Sequence, residues 1–269
     1  MYDKNWVDTL SKSLKLQSSS SHPFHSDPYS LRSVTIQSYD IFGGKRLGFL
    51  KLTASVTNSA GEHLPGAALL RGPTVAMLVI LIPDDIEEQT PSSTSSSNSS
   101  EEEKYVVLTV QPRVAAGSLS FTELPAGMVD DAGTFKGAAA KEIEEELNIT
   151  IHEDDLICLS ELAAAAAAAA STGSSSANDP SATKEDQAAA MFPSAGGCDE
   201  HVTIFSVERR IPRDQLSEWS GRLTGLREEG EKITLKLVRM RDLWKEGARD
   251  SKSLAAIALW EGLRREGKV

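Results

Sequence analysis

Glu123-Leu-Pro-Ala-Gly-Met-Val-Asp-Asp-Ala-Gly-Thr-Phe-Lys-Gly-Ala-Ala-Ala-Lys-Glu-Ile-Glu-Glu-Glu-Leu-Asn-Ile149 decides how this chain is read. It runs as a strand end, a Gly-rich loop and a short helix. Ala138 to Leu147 holds strong helix formers and no breaker. Ile143 and Leu147, four apart, share a face that can be buried. Glu142, Glu145 and Glu146 stand at i, i+3 and i+4 and share another. Like charges at that spacing cost about a few tenths of a kcal/mol per pair in an isolated helix. A divalent cation reverses that sign, because carboxylate oxygens are the ligands hard Mg²⁺ takes up beside waters and phosphates. An acidic helix alone reads as a solvated face. The loop placed just before it is what points to a site.

Working outward, the chain of 269 residues carries a net charge of −11. That balance excludes a general nucleic-acid or polyanion-coating role, and an anionic substrate needs local Arg, Lys or metal. Cys158 and Cys198 are too few for a disulfide framework and indicate a reducing compartment. Val75 to Ile82, the longest strongly apolar run, has the length of a core strand and not of a membrane span. Asp3, Lys4, Asp8 and Lys12 with no apolar h-region argue against a secretory signal, so the cytosol is the expected compartment.

Trp6, Leu10 and Leu14 have helical spacing, and Ser18 to Pro28 reads as a loose connector. Val34 to Phe42 and Leu47 to Val56 form a hairpin about Gly43-Gly44, followed by a turn region over Asn58–Gly66. Further strands are expected at Leu69–Leu70, Val75–Ile82, Tyr105–Gln111, within Ile151–Leu162, and at His201–Val207 and Ile233–Val238. Gly221–Gly230 reads as a loop, and Ser251–Arg265 as a helix packing through Leu254, Ile257, Ala258, Trp260 and Leu263. The Ser-rich residues 91–103 and the poly-Ala and polar residues 163–190 read as low-complexity insertions, the first interrupting a hairpin. An alanine run of that length is too short for a stable isolated helix. A mixed α/β sandwich follows, one domain over residues 33–269 after an N-terminal segment of residues 1–32.

The central stretch resembles the Nudix box, G-x5-E-x7-R-E-U-x-E-E-x-G-U. Gly127, Glu142, Ile143, Glu145, Glu146 and Ile149 match in register, while Gly133 stands for the first Glu, Lys141 for Arg and Asn148 for Gly. Asn suits the left-handed helix end, and Lys keeps the charge without bidentate geometry. Gln111-Pro-Arg113, Asp40 to Lys51, Ser194 to Glu200, Gly225 to Glu231 and Ala255 to Trp260 resemble segments of the ADP-sugar diphosphatase branch. The resemblance implies a Nudix-type α/β/α sandwich with a mixed sheet and N-terminal antiparallel strands. It implies Mg²⁺, or Mn²⁺, held by Glu142, Glu145, Glu146 and the carbonyl of Ala126, with Glu145 counted among the catalytic groups. A late-loop base follows from it, Glu229 first and Glu231 second. It also implies substrate contacts from Arg113 and Arg46, and a homodimer through residues 33–56. Arg71 is a weaker candidate of the same kind. Asp199 and Glu200 either bind substrate hydroxyls or hold their loop, and the loop role is preferred. His201 reads as a strand residue and Cys198 as packing. The expected activity is cleavage of the diphosphate of an ADP-sugar, ADP-ribose or ADP-glucose, to AMP and sugar 1-phosphate. A Nudix-fold nucleotide-sugar binding module that has lost catalysis is the rival, carried by Gly133 and Lys141, and a structural protein with an acidic helix is the third reading.

Overall fold

β-branched residues alternating with polar ones build the first hairpin, and a run apolar on both faces builds the central strand. The computed structural model describes residues 2–42, 46–86, 103–129, 134–147, 150–173, 185, 187–225 and 232–269. These residues group into two compact units, residues 1–73 with 165–201 and residues 74–164 with 202–269.

In the first unit, helix α1 (Tyr2–Lys15) realises the Trp6, Leu10 and Leu14 spacing. Trp6 packs on a cluster of Leu50, Leu52 and Leu70. The connector after it is closed rather than loose. Buried Gln17 donates to the carbonyls of Leu14 and Tyr29 and accepts from the Tyr29 amide at 2.7 Å. Strands β1 (Ser30–Phe42) and β2 (Arg46–Thr57) pair antiparallel from Ser30↔Thr57 to Phe42↔Arg46. The Gly43-Gly44 turn lies outside the described residues. β3 (His63–Leu64), inside the stretch expected to be a turn, and β4 (Ala67–Leu70) both pair with β2.

The second unit is built on β5 (Pro73–Pro83), whose residues Val75 to Leu81 are all fully buried. Burial on both faces requires cover on both. Its sheet runs β11-β12-β6-β5-β10-β9, with β7 on β6 and β8 on β5. These strands are β6 (Tyr105–Arg113), β7 (Ser118–Glu123), β8 (Ala126–Met128), β9 (Ile157–Cys158), β10 (His201–Ile211), β11 (Leu223–Thr224) and β12 (Ile233–Arg239). Val75, Met77, Val79 and Leu81 join one core with Ala139, Ile143 and Leu147. β5 and β6 pair antiparallel at Ile80↔Val106 and Leu81↔Tyr105. The Ser-rich segment therefore interrupts a hairpin, as its flanks suggested. Arg213 joins those flanks, with Nε 2.6 Å from Asp85 and a terminal nitrogen on Glu103.

Three local expectations change. The poly-Ala run is helical, within α3 (Leu159–Gly173), where its length alone predicted no stable isolated helix. Buried Leu159 and Ser160, whose hydroxyl accepts from the Ile204 amide at 2.9 Å, fix the first turn that eight isolated alanines would have to nucleate alone. The strand sought within Ile151–Leu162 shrinks to β9. The stretch expected to be a loop from Gly221 contains β11, which pairs with β12. Short helices α4 (Leu216–Trp219) and α5 (Leu243–Glu246) precede α6 (Ser251–Arg265), the C-terminal helix in the span its periodicity predicted. The fold class is mixed α/β. Among the described residues no helix is long and apolar enough to cross a membrane.

Candidate active site

The loop before the acidic helix is tied to the central strand. β8 pairs Gly127 with Val75 and Ala126 with Ala76, and the Met77 amide donates to the Pro125 carbonyl at 3.0 Å. Thr134 starts the helix, its hydroxyl accepting from the Gly137 amide at 2.9 Å. Helix α2 (Phe135–Glu142) begins earlier than Ala138 and passes into a π-helical turn, Ile143–Leu147, in place of one uniform α-helix. Buried Ala139, Ile143 and Leu147 anchor it to the sheet.

That anchoring turns acids inward. Glu146 is only 5% exposed, and the Ala126 amide donates to its carboxylate at 3.2 Å. Burial, then the charges of Glu142 and Glu123, push its pKa well above the ordinary carboxylate range, while the Ala126 amide and Arg113 pull the other way. Glu142 lies against Gly127 so closely that a Cβ built there would stand 1.7 Å from its Oε1. The glycine is thus required by the approach of a carboxylate, where the sequence had suggested the approach of an ion. Glu145 stands apart, paired with Lys141 at 3.4 Å.

Glu123 is the residue that sequence reasoning passed over. It is 3% exposed and takes Arg113 Nε on one oxygen at 2.5 Å and Lys252 Nζ on the other at 2.8 Å. Lys252 also reaches Asp250 at 2.7 Å. Burial opposes its charge, but Asp250 and Glu123 outweigh it and hold the ammonium above its ordinary pKa. Asp250 caps α6, accepting from the Ser253 amide at 3.1 Å, and also accepts from the Leu124 amide at 3.0 Å. The only sequence signal was a charged residue closing an alternating strand just before Leu-Pro. Its partners, 10 and 129 positions away, gave none. Gln111, two residues before Arg113, has a buried side-chain nitrogen with no hydrogen-bond partner among the described residues.

The structure brings together Ala126, Glu142 and Glu146, with Glu123 and Arg113 beside them. Arg46 opens β2, and its side chain lies outside the described residues, as do Glu229, Glu231, Gly133 and Asn148. Asp199 and Glu200 belong to the other unit and have partners of their own. Asp199 accepts from the amides of Arg71 at 2.6 Å and Gly72 at 3.1 Å, and Glu200 pairs with Arg71 Nε at 3.2 Å. Arg71 also lies over the Phe49 ring, 5.9 Å from its centroid. His201 opens β10 beside the Phe192 ring. Cys198 is partly buried, which raises its thiol pKa and leaves it a poor nucleophile.

Among the described residues no group of three or more His, Cys, Asp or Glu side chains is set to hold a metal ion. The donors nevertheless fit a hard divalent cation, because Glu146 is a carboxylate buried beside Glu142 and Glu123 and short of positive charge.

A strand end, a close glycine and an inward acidic helix thus come together at one place. Nudix hydrolase 14, chloroplastic, of Arabidopsis thaliana is 36% identical over 241 residues, which cover 89% of this chain. Those residues span 65% of that relative, just under two thirds of its length. Over that stretch the chain is similar to a Nudix hydrolase. A solved structure titled "Crystal structure of ADP compounds hydrolase" covers 89% of this chain and 99% of its own, at 16% identity and a TM-score of 0.46. That likeness is too loose to carry an argument. No family model matches.

Proposed function

We propose that this protein is a Nudix hydrolase that cleaves the diphosphate bond of an ADP-sugar, giving AMP with ribose 5-phosphate from ADP-ribose or glucose 1-phosphate from ADP-glucose. The observation that carries the proposal is Glu146, a buried carboxylate held by the Ala126 amide and pressed by Glu142 and Glu123. Glu142, Glu145, Glu146 and the Ala126 carbonyl would hold Mg²⁺ or Mn²⁺. When bound, the metal neutralises the diphosphate charge and acidifies a water. The chain's own residues do the rest. Gly127 leaves room for the Glu142 carboxylate, the Ala126 amide orients Glu146, Arg113 meets phosphate, and Glu229 or Glu231 takes the proton of the attacking water. Residues 33–269 form the catalytic stretch in this reading.

The subunit arrangement we propose is a homodimer through residues 33–56. β1 is an edge strand whose Ile36 and Tyr39 are 57% and 63% exposed. Two free cysteines agree with a reducing compartment, and the cytosol is the one proposed. The deciding experiment incubates purified protein with Mg²⁺ and a panel of nucleoside diphosphate sugars. AMP release from an ADP-sugar is expected, and silence across the panel sinks the reading. The Lys141–Glu145 pair, which occupies one of the expected ligands, favours a second reading as a nucleotide-sugar binding module. That reading requires calorimetric binding of an ADP-sugar with no turnover at any Mg²⁺ or Mn²⁺ concentration.

A further inference from the structure

Arginine and carboxylate side chains frequently pair as two forks, through two parallel N–H···O bonds. Here they do not. Arg113 reaches Glu123 through Nε alone, on Oε1. The other oxygen, Oε2, is taken by Lys252 from the first turn of α6. Lys252 is itself fixed, because Asp250 holds its ammonium at 2.7 Å while capping the same helix. The Glu123 side chain is 3% exposed and that of Lys252 16%, whereas Arg113 is 41% exposed. Among the described residues no partner is recorded for the terminal nitrogens of Arg113.

We propose that Lys252 is a positioning residue. By occupying Glu123 Oε2 it blocks the fork-to-fork pair and leaves the terminal nitrogens of Arg113 turned outward, for the phosphate oxygens of a diphosphate substrate. A guanidinium suits that task because its donors match phosphate geometry two at a time. The inference deepens the diphosphatase reading and rests on it. Without Lys252, Arg113 collapses onto both oxygens of Glu123 and its contact with substrate is lost.

The test is a double-mutant cycle on the full chain with Mg²⁺ and ADP-ribose, using Lys252→Met, Arg113→Ala and the two together. Losing one charge-assisted contact raises KM by about 10- to 100-fold. Each single variant should show that rise with a smaller change in kcat, and the double variant should be no worse than Arg113→Ala. Lys252→Arg, which restores a cation at Oε2, should recover KM to within about threefold of the parent. Losses that add in the double variant, or fall on kcat alone, give Lys252 a merely structural role and overturn the proposal. If Lys252→Met does not fold, the same cycle runs on Asp250→Asn/Lys252→Met, which removes one acid together with the cation that balances it. Wild-type turnover tests the diphosphatase reading separately. Should there be none, the cycle is read as calorimetric Kd for ADP-ribose, with the same pattern expected, and no binding by the parent overturns both.

Discussion

Asp199 and Glu200 in one unit, and Glu142 and Glu146 in the other, are the same chemistry in opposite surroundings. Asp199 receives two backbone amides and Glu200 an arginine, so each acid has its counterpart close by. Glu146 is more deeply buried, receives one long amide bond, and faces further carboxylates. That arrangement costs stability whenever Glu146 is ionised, because burial and the neighbouring carboxylates both disfavour its charge. Asp199 and Glu200, met by donors, hold a loop, whereas Glu146, met by one amide and by like charges, is the acid that a cation would relieve.

The largest effect that sharpens this contrast is expected from Glu142→Gln with Glu146→Gln. AMP release should fall by about 10³-fold, roughly 4 kcal/mol of transition-state stabilisation. In metal-free buffer the melting temperature should stay level or rise, since repulsion is removed; undiminished turnover breaks the assignment. Gly127→Ala comes next, because its Cβ meets the Glu142 carboxylate. We expect about 100-fold lower activity, recovered in part at high Mg²⁺, measured by initial rates across a metal titration. Asp199→Ala removes an acceptor from two amides and should cost about 1–3 kcal/mol in urea unfolding. Its kcat per folded molecule should hold, and a collapse of kcat would erase the distinction between the acidic pairs.

A pH series probes the same contrast. The folded pKa of Glu146 is raised, so the folded state keeps a proton that the unfolded chain releases. Metal-free stability should therefore fall as pH rises from the ordinary glutamate value, about 4.5, toward the raised folded value, and then level off. Glu146→Gln should flatten that slope in a melting series, and Mg²⁺ should reverse it. The smallest effect belongs to Lys141→Ala, which removes an exposed i,i+4 pair. About 0.5 kcal/mol or less is expected by denaturation, and a larger shift would show that Lys141 does more than pair with Glu145.

Most of the strands were legible because burial writes itself into alternation and apolar runs, as at Val75–Leu81. The poly-Ala helix was not, since its stability comes from the turn before it, and helix propensity alone does not record a neighbour. At the candidate site, local spacing showed Glu142 and Glu146 on one face, and they do lie together. Glu145, in the same widened turn, is paired with Lys141. Glu123 and Lys252 were invisible for a different reason, being joined across 129 positions by the fold alone.

The widened turn at Ile143–Leu147 has one more consequence, for the length of the chain. A π turn holds an extra residue relative to the α-helix around it. Removing one residue there would let the helix close to ordinary winding, and the side chains inside the turn would lose the placement that the extra residue gives them. Glu146, inside that turn, would be re-aimed relative to the Ala126 amide. The helix would be more regular and the candidate site altered, so in this turn the number of residues counts as well as their identity.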